Sequence, residues 1–358
     1  MKNRILISTL LLSAIIFFIS CEKDESGPEI KGYAKGAFIR CEGNFNANNG
    51  SISWYNPDSA RVVNNLFQMV NGRPAGDVVQ SFSMAGDYGV IVANNSQKIE
   101  VVDLETFESV STITGFSYPR YFAYMGNGTG YLSNGSFDGQ IYKTDIIKGV
   151  VTDTIEVGMG PEQILTSGRY LFVANSGGWA SDSTVSVIDT ETDQLIHTIE
   201  VGDIPVALAA DRNNNIWVLC RGKVVYDDAW TEIIHETDSR LVRINTQSMV
   251  ADRHVVIGQI GDWFNPSWLS VNPDGDMLYF GEAGGLFRMS IEDMHQPESP
   301  YIGKMFSYAE TDPVSGMIFA LEITGYDSPG LLHIYDGDNM VSTHETGIAP
   351  GGITFTGH

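Results

Sequence analysis

Basic residues are scarce in this sequence. Its 358 residues include 21 Lys and Arg against 44 Asp and Glu, so the formal net charge at pH 7 is −23. An acidic surface repels phosphate backbones, which excludes a nucleic-acid-binding protein. Charged residues form only 18% of the chain and hydrophobic residues 43%. This balance excludes an intrinsically disordered chain.

Catalytic motifs are also missing. The seven His residues form no H-E-x-x-H pair or other closely spaced metal pair, and the chain has no G-x-S-x-G segment. Neither Cys41 nor Cys220 lies beside a His in the sequence. We therefore expect a protein that is not an enzyme, with no catalytic residue, bound metal or cofactor.

Only one long hydrophobic run occurs, at residues 5–19. It is short for a bilayer span, which needs about 20 residues, and it follows Lys2 and Arg4, so residues 1–20 are predicted to be an export signal. Ser20-Cys21 resembles a lipobox, in which Cys21 is acylated. Residues 22–25 resemble the acidic tag of Bacteroidetes-type lipoproteins on the outer face of the outer membrane. Residues 21–33 would then be the acylated Cys and a tether; a cleaved signal with a chance Cys is the alternative.

Residues 34–358 contain a repeat. Thirty-eight Gly and thirteen Pro indicate many tight turns, and in residues 160–202 turn residues separate four short β-rich runs. Junctions between units recur every 42–45 residues, with one longer gap of 61 residues in the fifth unit. They lie at Pro74, Pro119, Pro161, Pro205, Pro266, Tyr308 and Pro350. This period predicts an all-β, seven-bladed β-propeller of four-stranded antiparallel blades.

The C-terminal strand is predicted to close the ring. The first unit offers three strands, at residues 36–41, 51–55 and 62–69, and residues 352–357 add one more strand after the last junction. As the innermost strand of blade 1 it would remove the open edges, so truncating the last six residues should open the ring. Cys41 and Cys220 fall in blades nearly opposite each other, beyond the roughly 7 Å limit for a disulfide. We predict two buried free thiols.

The repeat also resembles known propellers. The pattern V-A-N, V-S-V-I-D, I-E-V-G and Pro in residues 173–205 is similar to YVTN or YncE-type seven-bladed propellers. The segments G-A-F-I-R-C-E-G-N (36–44) and N-G-S-I-S-W-Y (49–55) resemble the DUF5074 surface lipoproteins of Bacteroidetes. These include cobalamin-capturing partners of the TonB-dependent vitamin B12 transporter. The resemblance implies a corrinoid ligand, a TonB-dependent outer-membrane receptor as partner, and lipid anchoring at the cell surface. It also implies a monomer outside the transporter complex.

One face of the propeller is the predicted binding surface. The connection into each innermost strand and the loop between the second and third strands emerge on the same face, because antiparallel strands alternate in direction. We call it the junction face, and blade 5 carries its extra length there, in residues 221–240. Exposed aromatic rings beside amide and charged groups suit a bulky amphipathic ligand. The candidate ligand-binding residues, centred on blades 4 to 6, are Arg73, Arg120, Tyr121, Glu162, Asn175, Trp179, Arg221, Trp230, Trp268, Tyr308 and Tyr326.

Other interpretations of this face remain open. Trp263 and Trp268 could wedge between blades, and Asn175 could cap a turn. A Ca²⁺-dependent lactonase-like hydrolase is a second function, because rim oxygens can hold Ca²⁺; its candidate ligands are Glu42, Glu162, Glu282, Asn134 and Asn175. A protein-interaction or adhesion module is a third. The expected function is ligand capture and delivery without chemistry.

Overall fold

A computed structural model describes residues 32–33, 35–259 and 266–356. They form seven antiparallel blades, and the innermost strands of neighbouring blades contact one another around a ring. The predicted all-β seven-bladed propeller is therefore confirmed. The predicted export signal, Cys21 and most of the tether lie outside the described residues.

The first three blades follow the predicted order. Blade 1 contains β29 (Pro350–Thr356), β1 (Gly36–Cys41), β2 (Ser51–Asn56) and β3 (Arg61–Val63), and a helix α1 (Leu66–Asn71) follows. Blade 2 contains β4 (Val79–Ala85), β5 (Tyr88–Ala93), β6 (Lys98–Asp103) and β7 (Ser109–Thr114). Blade 3 contains β8 (Pro119–Gly126), β9 (Thr129–Asn134), β10 (Gln140–Asp145) and β11 (Val150–Glu156).

The remaining blades include two irregular ones. Blade 4 contains β12 (Pro161–Ser167), β13 (Tyr170–Asn175), β14 (Thr184–Asp189) and β15 (Gln194–Glu200). Blade 5 contains β16 (Pro205–Ala210), β17 (Ile216–Cys220), β20 (Asp238–Asn245) and β21 (Val250–Gln259), and its extra length is a hairpin of β18 (Val224–Tyr226) and β19 (Ile233–Glu236). Blade 6 contains β22 (Leu269–Val271), β23 (Met277–Glu282) and β24 (Gly285–Ser290), with a backbone bridge from Leu286 to Ile302 beside β24. Blade 7 contains β25 (Tyr308–Thr311), β26 (Ile318–Glu322), β27 (Pro329–Asp336) and β28 (Asn339–Ile348).

The hydrophobic core lies between neighbouring blades. Strands β13 and β14 are buried at nearly every position, whereas the outermost strand β15 is exposed at all but one. A middle strand packs both of its faces against adjacent blades, so both its apolar and its small polar side chains are buried. One core cluster joins Phe172 and Val187 of blade 4 to Leu208 and Val218 of blade 5. The blades therefore stabilise one another as a ring.

The predicted ring closure is confirmed. Strand β29 pairs antiparallel with β1, with Ile353 opposite Ile39 and Phe355 opposite Ala37. It also contacts β4 of blade 2 and β25 of blade 7, the innermost strands on either side. Blade 1 is thus completed by the last strand that the structure describes.

One predicted strand of blade 1 is wrong. Residues 62–69 were expected to form a single strand, but β3 ends at Val63 and helix α1 begins at Leu66. Asn65 and Gly72 lie in the left-handed region at the two ends of this helix, and Leu66 and Phe67 are buried. A short apolar run does not distinguish a strand from a buried helical turn by periodicity. Within the described chain, no helix is long and apolar enough to cross a membrane.

The cysteine prediction is confirmed. Cys41 and Cys220 end the second strands of blades 1 and 5, and both are buried free thiols. Burial raises the pKa of each thiol.

Candidate functional site

The junction face is held together by a backbone contact that recurs from blade to blade. The residue after the second strand donates its N–H to the carbonyl of a residue just before the innermost strand, as in Asn94 to Val78 at 2.8 Å and Ser176 to Gly160 at 2.9 Å. Ile204 accepts the same bond from Arg221 at 2.9 Å. The three acceptor residues share positive φ values between 53° and 58°. Both kinds of connection therefore meet on one face, as the strand alternation predicts.

A central cavity of about 730 Å³ opens on this face. Its volume is within the range of small-molecule sites. All seven blades contribute polar or aromatic side chains to its wall. They include Arg40, Glu42, Gln80, Arg120, Tyr121, Glu162, Gln163, Arg221, Trp268 and Tyr308.

An ion pair joins two of the predicted site residues. Arg120 donates from Nε and Nη2 to the two carboxylate oxygens of Glu162, at 2.9 and 2.8 Å. Its Nη1 donates to Oε1 of Gln80 at 2.6 Å. Burial alone would lower the pKa of Arg120, but the Glu162 carboxylate holds that pKa above its ordinary value. Through its bonds to Gln80 and Glu162, Arg120 connects blades 2, 3 and 4 at the cavity wall.

A second ion pair lies in blade 1. Arg40 is buried, and it donates to the carboxylate of Glu42 and to the carbonyl oxygen of Gly351. A Cβ atom at Gly351 would lie 2.9 Å from Nη2 of Arg40. The glycine therefore allows the guanidinium to pack against the closing strand β29.

Two tyrosines, Tyr121 and Tyr308, line the cavity wall, and the half-buried Glu310 lies beside Tyr308. The Tyr308 hydroxyl donates to Glu310 at 2.8 Å, and both side chains lie on the same face of β25. Burial raises the pKa of Glu310 to about 7, and the bond from Tyr308 offsets this only in part. Burial also raises the pKa values of Tyr308 and Tyr121. The two tyrosine hydroxyls on the cavity wall are therefore neutral near pH 7.

Three exposed aromatic side chains lie on loops that border the cavity. Trp179 and Trp230 are each 79% exposed and Tyr326 is 77% exposed. The loops that carry them also contribute Gly178, Arg221 and Ile323 to the cavity wall. Large exposed aromatic rings grouped around a depression are typical of a binding surface.

Local contacts set the position of two of these rings. Gly160 has φ +58°, and a Cβ atom there would lie 1.8 Å from the backbone nitrogen of Gly178. Only glycine permits this close packing, which holds the Trp179 loop against the junction. Trp230 stacks on Tyr226 with 5.6 Å between ring centroids, at the end of the β18–β19 hairpin.

Three predicted site residues are engaged within the protein instead. Arg73 lies outside the cavity wall and forms a two-pronged ion pair with Glu100, at 2.8 and 3.0 Å. Asn175 is fully buried and its amide donates to side chains of β14. Trp268 borders the cavity but is 3% exposed, and it packs between blades 6 and 7 with its Nε1 donating to the carbonyl of Phe306 at 3.1 Å. Trp263 lies outside the described residues.

The sequence analysis missed Arg40, Gln80 and Glu310. Arg40 lies in the G-A-F-I-R-C-E-G-N segment that carried the family resemblance. Gln80 and Glu310 lie in the innermost strands β4 and β25. Side chains along a strand alternate between its two faces, so every second residue of these strands shares one face. A register count from each junction would have found them.

The candidate calcium ligands are dispersed over several blades. Glu42 and Glu162 are each bound by an arginine, and the Asn134 and Asn175 amides bond to their own blades. In the described ranges, no group of three or more His, Cys, Asp or Glu side chains could hold a metal ion. The described geometry lends the calcium site no support.

Comparisons with known proteins identify a family and a fold. The family model for a domain of unknown function, DUF5074, matches residues 35–312. No curated protein matches the sequence. Among solved structures, a quinonprotein alcohol dehydrogenase-like protein from Bacteroides thetaiotaomicron is similar with a TM-score of 0.65 and 12% identity, over 91% of this chain and 79% of that one.

Two further solved structures share the fold at low identity. Dihydro-heme d1 dehydrogenase NirN, in complex with DHE, has a TM-score of 0.58 and 11% identity, over 93% of this chain and 77% of that one. Hydrazine synthase of Kuenenia stuttgartiensis has a TM-score of 0.56 and 16% identity, over 75% of this chain and 86% of that one. At these identities the similarity shows the propeller fold alone.

Proposed function

We propose that this protein, which belongs to the DUF5074 family, is a surface lipoprotein that captures a corrinoid and delivers it to a TonB-dependent outer-membrane transporter. The observation that carries the proposal is the central cavity on the junction face, bordered by loops that carry exposed aromatic side chains. Capture requires binding without chemistry, and the described cavity wall offers hydrogen-bond donors, aromatic rings and ion pairs.

The chemistry of the face suits a corrinoid. Such a ligand is a broad macrocycle with peripheral amides, so it needs flat apolar contacts and many hydrogen-bonding partners. Trp179, Trp230 and Tyr326 offer flat apolar area at low conformational cost. Gln80 and Gln163 on the wall offer amide partners. A corrinoid is larger than a drug-sized ligand, so we expect it to lie across the mouth with part of it in the cavity.

The proposed anchoring rests on the N-terminal segment, and the proposed delivery rests on the junction face. Acylation of Cys21 would hold an acidic, soluble body at the membrane, although the strongly negative charge of the chain, −23 over its full length, repels anionic lipid surfaces. Replacement of Cys21 by Ser is expected to release the protein from outer-membrane fractions. Protein that remains membrane-bound after this change would contradict the lipid anchor.

Equilibrium dialysis with cyanocobalamin tests the capture directly. We expect binding at micromolar ligand or below, with quenching of tryptophan fluorescence, and a loss of about tenfold in affinity for Trp230→Ala. Val314→Ala is the matched control, because Val314 is an exposed apolar residue in the turn between β25 and β26, on the opposite face. Absence of binding at micromolar cyanocobalamin would refute corrinoid capture.

Delivery is a separate test. In cells that depend on external cyanocobalamin, a variant that binds the ligand normally but has Ile234→Asp on the exposed hairpin is expected to slow uptake. Ile234 is 64% exposed on β19, and a charge there opposes docking of an apolar partner surface. Uptake at the wild-type rate by several such rim variants would count against delivery through this face.

A further inference from the structure

The charge of the cavity wall is opposite to that of the protein. The chain carries 44 acidic and 21 basic residues. The described cavity wall has three arginines, Arg40, Arg120 and Arg221, against two glutamates, Glu42 and Glu162. An excess of positive side chains in a recess with low-dielectric walls concentrates the field on any anion that enters.

The two glutamates are already bound by two of the arginines. Glu42 accepts from Arg40, and both oxygens of Glu162 accept from Arg120. Arg40 also donates to the Gly351 carbonyl, and Arg120 also donates to Gln80. These two arginines are therefore largely satisfied within the protein.

Arg221 differs from the other two. Its side chain makes one hydrogen bond to the described residues, from Nε to the carbonyl oxygen of Pro266 at 3.3 Å. Its terminal nitrogens have no acidic partner in the described ranges. Burial lowers the pKa of Arg221. The Glu162 carboxylate acts in the opposite direction, and the positive charge of Arg120 lowers the pKa further. A half-buried guanidinium without an anion bears a desolvation cost that a bound anion would relieve.

A second donor group lies on the same wall. Gln163 accepts the N–H of Leu208 through Oε1 at 2.7 Å, which directs its carbonyl oxygen into the fold. Its amide nitrogen has no partner among the described residues. Gln163 and Arg221 belong to the neighbouring blades 4 and 5. Together they present N–H donors that have no partner among the described residues, which is the chemistry of an oxyanion site.

We propose that Arg221 and Gln163 form an oxyanion subsite of the central cavity that takes a phosphate or carboxylate group of the ligand. The assignment deepens the proposed function, on which it rests for the identity of the corrinoid. Cobalamin carries a phosphodiester in its nucleotide loop, whereas cobinamide lacks that phosphate. The subsite therefore discriminates between these two corrinoids through a charge that only one of them bears.

The experiment compares two corrinoids and two arginine variants in phosphate-free buffer. Arg221→Gln is expected to weaken cyanocobalamin binding by roughly 10- to 100-fold, and to change dicyanocobinamide binding by less than about threefold. Arg221→Lys keeps the charge but loses the planar fork, so its loss should be intermediate. Arg212→Gln is the control, because Arg212 lies in the β16–β17 turn at the other end of blade 5 and pairs with Asp276 at 3.0 Å. Equal effects of Arg221→Gln on both corrinoids, or no effect on either, would overturn the subsite.

Inorganic phosphate provides an arm that does not need a corrinoid. Millimolar phosphate is expected to raise the unfolding temperature of the wild-type protein and of Arg212→Gln, and to leave that of Arg221→Gln unchanged. Citrate as a carboxylate probe separates the two oxyanion sources. If neither corrinoid binds the wild type but phosphate or citrate protects it through Arg221, the proposed function fails and the subsite stands. Equal protection of wild type and Arg221→Gln by both anions overturns the subsite.

Discussion

Removal of residues 353–358 tests the closure of the ring. The deletion takes away most of β29 and leaves β1 without its inner partner. It removes the side chains of Ile353 and Phe355, which are both buried in the core between blades 1 and 7. It also removes the bond from the Thr354 hydroxyl to the Phe82 carbonyl of blade 2, at 3.1 Å.

The expected loss is large relative to the stability of a typical protein. Burial of one Ile or Phe side chain contributes about 1.5–3 kcal/mol, so the two together account for about 3–6 kcal/mol. The Phe355 ring also packs edge-on against Phe319 with 5.1 Å between centroids. The lost backbone pairing with β1 adds to this. Because natural proteins are stable by about 5–15 kcal/mol, the deletion should leave the ring marginally stable or open.

Urea unfolding measures the effect through the midpoint of the tryptophan fluorescence change. Phe355→Ala should lose about 3–4 kcal/mol, and Phe45→Ala, an exposed ring on the junction face, should change by less than about 0.5 kcal/mol. A peptide of residues 350–358 added to the truncated chain should restore part of the loss. A truncated protein with the wild-type midpoint and wild-type hydrogen exchange in β1 would refute the reasoning.

Three other predictions concern single groups. Since the pKa of Glu310 is raised from 4.5 to about 7, the folded state keeps a proton there that the unfolded chain releases. The unfolding free energy should therefore fall by about 1–3 kcal/mol as pH rises from about 4.5 to 7. Urea unfolding across this range should show a smaller fall for Glu310→Gln. Equal pH profiles of the two proteins would contradict the raised pKa of Glu310. Arg73→Ala should lower the unfolding free energy by about 1–3 kcal/mol, because it leaves the fully buried Glu100 carboxylate with fewer partners. The affinity for cyanocobalamin, measured by dialysis, should stay unchanged. A weaker affinity would show that Arg73 contributes to ligand binding. Cys41 and Cys220 should resist alkylation in the native protein and react after denaturation, because both thiols are buried. Mass spectrometry measures the alkylation. Rapid alkylation of either thiol in the native protein would contradict its burial.

Much of the fold could be predicted because each blade repeats the same local pattern. The runs in residues 160–202 become β12 to β15 nearly at the expected bounds, since turn residues separate them and each run has β-rich composition. The closing strand could be identified because the first unit lacked one strand. Helix α1 was missed because its two buried residues, Leu66 and Phe67, are adjacent, and adjacent apolar residues fit either period.

The candidate site was predicted less well than the fold. Sequence position placed Arg120, Tyr121, Glu162, Arg221 and Tyr308 on the cavity wall, where the structure has them. It did not show which polar side chains find partners inside the protein. That depends on distances between blades, such as the pairing of an arginine in one blade with a glutamate in the next, and no local pattern encodes those distances.

Closure of the ring by its last strand also determines the order in which the protein can fold. During synthesis, β1 emerges early but its inner edge has no partner until β29, the last strand described, has been made. An unpaired edge invites pairing with other chains, and contacts between distant parts of a sequence form slowly. A chain arrested before residue 350 should therefore stay aggregation-prone and depend on chaperones, although six of its seven blades would already have their strands.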